Sequence, residues 1–248
     1  MAEPLRSYQT RPAGVRVEAE IDQGLRAYML KVYNLMALGL AITGLAAWGA
    51  FNAAVGPSGE LTAFGQLIYA SAFRWVVIFA PLAVVFFLSF RVHKMSVGAA
   101  QATFWAYAAL VGLSLSTIFL VYTGTSIVRT FFITAASFGA LSLYGYTTRR
   151  DLSAMGSFLI MGLFGLIIAM LVNIFLQSSA LQFAISAIGV LIFAGLTAYD
   201  TQKIKEMYFE GDDVLVAGRK AIMGALTLYL DFINLFMFML QFLGQNRE

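Results

Sequence analysis

An all-α integral membrane protein, a seven-transmembrane-helix bundle, is the fold class this sequence predicts, and three observations predict it. The 248 residues are 60% hydrophobic and 12% charged, with a mean hydropathy of +0.80, which is outside the range of a water-soluble globule. The apolar residues gather into seven runs long enough, or nearly so, to cross ~30 Å of hydrocarbon at 1.5 Å per helical residue. When the chain is threaded alternately through those runs, the lysines and arginines fall almost wholly on one side.

Residues 1–26 form a polar tail, with Arg6, Arg11, Arg16 and Arg26 set against Glu3, Glu18, Glu20 and Asp22. It lacks the apolar core and small-residue cleavage site of a signal peptide, so the first apolar run is expected to act as the uncleaved insertion signal. Residues 27–248 make up the transmembrane domain. Its runs are residues 30–54, 75–90, 97–121, 127–146, 156–176, 183–200 or beyond, and about 221–243. The second is the shortest, lying between Arg74 and Arg91 with Pro81 inside it. Either the flanking arginines snorkel, or the helix starts earlier, near Gly65. Pro81 predicts a kink.

Seven crossings put thirteen of the sixteen basic residues with the N-terminal tail and leave Arg74, Arg129 and Arg247 opposite. The expectation is therefore a cytoplasmic N-terminus and an external C-terminus. A basic protein, pI about 9.2, invites a nucleic-acid reading, but here the charge is spread over loops and follows the topology, so no nucleic acid is expected. The chain has no cysteine, which excludes disulfides, thiolate nucleophiles and cysteine-bound metals. Small-residue pairs suited to close helix contact recur as Gly112 with Ser116, Ala135 with Gly139, and Gly162 with Gly165. Trp48 and Trp75 read as interfacial anchors, Trp105 as a packing residue and His93, the sole histidine, as an exposed loop residue.

Two acidic residues interrupt or border the apolar runs. Asp231 sits inside the last one, in Leu228-Tyr229-Leu230-Asp231-Phe232-Ile233-Asn234-Leu235-Phe236, and Asp200 closes the one before. A carboxylate inside a span costs ~2.5 to 3.5 kcal/mol on insertion scales, so it needs a partner or a purpose. Adjacent antiparallel helices bring the two to depths that agree within about 6 Å at the standard rise. Thr227, Asp231, Asn234 and Phe238 share one helix face, and Thr197 and Lys203 flank Asp200. The plainer alternative for Asp200 is an ion pair with Lys203 at the interface.

Two carboxyls close together in a low-dielectric site cannot easily both ionise, so they are expected to share a proton and to sense pH. Once deprotonated they offer up to four hard oxygens, suited to calcium. A calcium cage needs six to eight, so Asp200 and Asp231 predict a weak, transient metal site, with Thr197, Asn234, carbonyls or water completing it.

These strings resemble a known family. Ala198-Tyr199-Asp200-Thr201-Gln202-Lys203-Ile204-Lys205, followed by Thr227 through Phe236, is similar to the signature of the transmembrane Bax-inhibitor-motif (Bax inhibitor-1) family, in a bacterial-type member. Arg149-Arg150-Asp151-Leu152-Ser153 and Asn173-Ile174-Phe175 are similar to it too. The resemblance implies a bundle with the last helix central and a pH-dependent calcium leak governed by paired aspartates, matched by Asp200 and Asp231. It also implies a latch arginine in the second helix, matched by Arg91. The plainer reading of Arg91 is a topology-setting arginine at a helix end. Some members carry an acidic residue within that helix, whereas residues 78–90 here have none.

The leading expectation is thus a pH-sensitive calcium or cation leak, not an enzyme, with no tightly bound cofactor and with the bilayer, calcium ions and protons as partners. The alternative is an interaction protein that moderates a membrane protease or another membrane partner through residues 1–26. An intramembrane aspartyl protease is disfavoured, because Asp231 follows Leu228-Tyr229-Leu230 and not Gly-x-Gly. Short tails without retention or transit signals suggest a bacterial cytoplasmic membrane.

Overall fold

The computed structural model describes the backbone of residues 13–247 and side chains from residue 23 onward. The polar tail is therefore described only in part, and residues 1–12 lie outside the described residues. Residues 13–26 are already helical and run without a break into the first span.

Among the described residues there are seven long helices: α1 Ala13–Ala54, α2 Arg74–Arg91, α3 Val97–Leu115, α4 Gly124–Thr147, α5 Ser153–Leu176, α6 Ser179–Glu206 and α7 Val214–Leu243. A short turn of helix, Ile118–Val121, extends α3. Each of the seven is long and apolar enough to cross a membrane. Local chemistry sets where they begin: the side chains of Ser96, Thr123, Ser178 and Asp213 each accept a backbone N–H three residues on, satisfying donors that a helix start leaves free.

The start of α2 settles between the two expectations. The chain leaves α1 through a tight turn, bridged at Val55 and Leu61, and makes one helical turn from Thr62 and a π-helical turn over Gln66–Ala70. It breaks at Ser71 before α2 starts at Arg74. Gly65 belongs to this separate short piece, where its bare backbone rests against the Ala54 carbonyl. Arg74 lies at the helix start, its guanidinium 5.0 Å over the Trp75 ring.

α7 is central. It packs against α1, α4 and α6, and more lightly against α3, while α2 is held mainly by α3 and α5 by α6. Burial follows: Leu228, Tyr229, Leu235 and Leu240 are fully enclosed, whereas α2 and α5 present phenylalanines and isoleucines to the lipid. Such side chains lose nothing by facing hydrocarbon, so packing and polar contacts hold the bundle together. The Tyr229 ring meets Phe104 and Tyr107 edge-on, at 5.6 and 5.8 Å. Its hydroxyl donates to Thr43 Oγ1 (2.6 Å), which donates to the Ala108 carbonyl (2.9 Å). This knot ties α7, α1 and α3. Tyr229→Phe is expected to cost about 0.6 to 2 kcal/mol in the thermal unfolding of detergent-solubilised protein, and Thr43→Val added to it little more.

Of the small-residue pairs, Gly112 makes the expected close contact, lying against the Thr43 carbonyl of α1. Gly162 touches only the Ile192 side chain, and Gly139 and Gly165 face open space. α4 approaches α6 closely at Gly145, which lies against the backbone of Ala198. Trp105 is 37% exposed, which corrects the packing expectation: position 105 falls on the lipid side of α3. Trp48 and Trp75 are exposed as anchors would be, and His93 is exposed as well.

Candidate functional site

α6 and α7 are antiparallel neighbours, joined through a loop whose Asp212 pairs with Lys220 of α7 (2.5 Å). Lys220 Nζ also donates to the Met207 carbonyl (3.0 Å). On the other flank Gln202 clamps the loop before α5, accepting from Leu152 N (2.9 Å) and donating to the Arg150 carbonyl (2.8 Å). In that loop, hydrogen bonds from Ser153 hold the exposed Asp151 carboxylate below its ordinary range. Gln202 and the Arg149-to-Ser153 string thus act together, to seat α6 beside α5.

Held this way, Asp200 and Asp231 face each other with their carboxyls within hydrogen-bonding reach. Asp231 is 5% exposed and Asp200 half-buried. The contact carries a protonation argument. Ionised carboxylates only accept hydrogen bonds, so two in contact need a proton between them. Without that proton, Asp231 Oδ2 is a buried acceptor with no partner, a state that a low-dielectric interior penalises.

The pair opens onto a cavity of about 460 Å³ walled by α5, α6 and α7. Its polar lining is Asp200, Asp231, Lys203, Thr227 and Asn234, and the remainder is apolar apart from the Tyr199 hydroxyl. Asn234 Nδ2 donates to the Leu230 carbonyl (2.8 Å), which leaves its Oδ1 as an acceptor, and Thr227, whose Oγ1 donates to the Met223 carbonyl (3.1 Å), lines the cavity with it. Thr197 does not line it; its hydroxyl donates to the Phe193 carbonyl (2.7 Å) inside α6.

Arg91 is not brought to the pair. It is exposed at the end of α2, a helix held by α3, and the cavity excludes it. The cation that acts on Asp200 is Lys203, one turn along α6, with its ammonium 5.8 Å over the Tyr199 ring. Among the described residues Lys203 makes no ion pair with Asp200; it lines the same cavity, so the plainer alternative for Asp200 is not the arrangement found. Lys203→Met is expected to move the midpoint of any pH response of the pair upward by about half a unit, the small size reflecting an exposed, screened charge. A pH titration of the response against wild type measures it.

Among the described residues no third histidine, cysteine, aspartate or glutamate joins the pair. The donors for a cation are thus two carboxyls with the Asn234 and Thr227 oxygens, a hard-oxygen set short of a full calcium shell. Sequence reasoning placed Phe238 on the Asp231 face without giving it a role and did not single out Phe193; their rings stack at 5.7 Å and line the cavity on the side away from Lys203. With 22 phenylalanines in the chain, only the facing-helix register singles them out.

The fold and site define a multi-pass membrane protein with a carboxyl pair enclosed between its last two helices. The chain belongs to the Bax inhibitor family: residues 25–248 match the family model described as "Inhibitor of apoptosis-promoting Bax1". It is 52% identical over 227 residues to an uncharacterized protein of Rickettsia prowazekii, covering 92% of this chain and 93% of that one. It is 48% identical over 227 residues to the inner membrane protein YbhL of Escherichia coli, covering 90% and 94%. An uncharacterized Caulobacter vibrioides protein is 45% identical over 245 residues, 98% of each chain.

Proposed function

We propose that this protein is a pH-sensitive leak for calcium or a similar cation across a bacterial inner membrane, with Asp200 and Asp231 as both sensor and transit site. The reading rests on one observation above the rest: two carboxyls in contact, one of them enclosed within a span, beside a cavity that holds further oxygen ligands. Taking up or losing the shared proton changes the charge of the pair and its hold on a cation, so one event couples pH to permeation. A site with few ligands releases what it binds, as conduction requires. No nucleophile, tight cofactor or resident metal enters the mechanism.

The membrane assigned is that of the similar protein YbhL. The thirteen-to-three division of basic residues supports a cytoplasmic N-terminus and an external C-terminus. The sign of the pH effect follows from charge. Raising the pH removes the shared proton and creates a double anion that recruits a divalent cation, so flux rises with pH.

The test is calcium uptake into liposomes holding the purified protein, between pH 5 and 8. Flux that climbs across this range supports the reading. A protein that passes no calcium at any pH in the range defeats it.

A further inference from the structure

The seam between α6 and α7 continues past the carboxyl cavity in an ordered pattern. On α7, Thr227, Asp231, Asn234, Phe238 and Gln241 recur at alternating intervals of four and three residues, and on α6 so do Gln182, Ser186, Gly189 and Phe193, with Asp200 seven further on. Each set is one helix face. The two faces meet: Phe193 stacks on Phe238 at 5.7 Å, and Phe238 fits so closely over Gly189 that any side chain there would strike its ring. Beyond the rings, Gln182 Nε2 and Ser186 Oγ both donate to Gln241 Oε1, at 3.0 and 3.2 Å, and Asn173 Nδ2 of α5 donates to Gln182 Oε1 (3.1 Å).

Read along the seam, the order is carboxyls, aromatic pair, uncharged amides. From Asp231 to Gln241 is about 15 Å of helix, half of a ~30 Å hydrocarbon core. The amides therefore lie near one membrane surface when the carboxyls lie near the middle. Gln241 is exposed there, whereas Phe193 and Phe238 are 6% and 7% exposed. An amide oxygen is a neutral hard ligand, able to replace water around a cation without trapping it. Two stacked rings with no polar atom are a constriction that a hydrated ion cannot pass.

Building on the leak reading above, we propose that Phe193 and Phe238 are the closed gate of a cation path along the α6–α7 seam. Gln182, Ser186 and Gln241 form the far mouth, where an entering cation exchanges water for uncharged oxygens by displacing the hydrogen bonds they now make. Opening requires only that the Phe238 side chain leave its seat on Gly189, a rotamer change coupled to any sliding of α7 on α6. Asn173 holds Gln182 in position.

Because the chain has no cysteine, a single reporter can be placed inside the cavity. Asn234→Cys is reacted with a membrane-impermeant cationic thiol reagent added on the amide side, with Phe238 intact, with Phe238→Ala and with Phe238→Leu. Labelling is expected to be slow with Phe238, at least about tenfold faster with alanine, equivalent to about 1.4 kcal/mol off the entry barrier, and slow again with leucine, which refills the constriction. Gln241→Leu in the alanine background is expected to slow it severalfold. Amides that served only as packing would change stability and leave labelling alone.

Equal labelling with and without the ring overturns the gate, whatever the calcium flux. Gated labelling in a protein that passes no calcium keeps the path and defeats the calcium reading. A Phe238→Ala protein that no longer gives a monodisperse peak is replaced by Phe193→Ala, which removes the other half of the gate and carries the same expectation.

Discussion

Asp231→Asn is expected to leave the bundle assembled and to remove most of the pH dependence of calcium flux. Asparagine has nearly the same shape as aspartate, and its amide can donate to the Asp200 carboxyl that faces it. That permanent donor stands in for the shared proton, and the pair is fixed at a single negative charge. The variant should therefore behave at every pH as wild type does when protonated. Its flux at pH 8 should be at least about tenfold below wild type, a difference of about 1.4 kcal/mol in the barrier. Asp200→Asn should act in the same direction but less completely, because Asp200 is half-buried and is balanced by Lys203. Asp231→Leu provides the contrast: it also fixes the charge but offers Asp200 no donor. If Asp231→Asn keeps the steep pH profile of wild type, the carboxyl pair is not the sensor.

The sequence made the bundle legible because a membrane simplifies the problem. A span must be long, apolar and helical, so seven runs gave seven helices and the charge of the loops supported the count. Asp231 was legible for the same reason, since a carboxylate within an apolar run has few explanations. What was not legible depended on which helix faces meet. Thr197 flanks Asp200 in sequence, yet it is fully buried off the cavity wall, with its hydroxyl bonded to the Phe193 carbonyl of its own helix. Arg91 matches a family position but lies on a helix that packs elsewhere. Lys203 was weighed as a rival to the site and proves to line it. Gln202 gave no sign of bridging to Leu152 and Arg150, fifty-odd positions away. Glycine pairs were weakest of all: composition cannot separate Gly112, which touches a backbone, from Gly139, which touches nothing.

That last contrast gives the second large expected effect. A β-carbon at Gly145 would fall on the Ala198 carbonyl and its neighbouring backbone atoms, which no side-chain rotation can move aside. Gly145→Ala must therefore push α4 and α6 apart, at a cost of about 1 to 3 kcal/mol. The hydrogen bond between Ser142 and Thr201 (2.9 Å), which spans the same two helices, would stretch or break with it. Ala198 lies two residues before Asp200, so the displacement reaches the carboxyl pair directly. Gly139→Ala, on the same helix, is the control. It meets open space, and alanine's higher helix propensity should make it neutral or stabilising by up to about 1 kcal/mol. Gly145→Ala should lower the thermal unfolding temperature in detergent and move the pH midpoint of flux; Gly139→Ala should neither lower stability nor move the midpoint. Equal losses in the two variants would mean that the close approach of α4 to α6 does not limit the fold. A destabilised Gly145→Ala with an unmoved pH midpoint would mean that Asp200 is positioned by α5 and α7 instead, through the Gln202 clamp and the facing carboxyl.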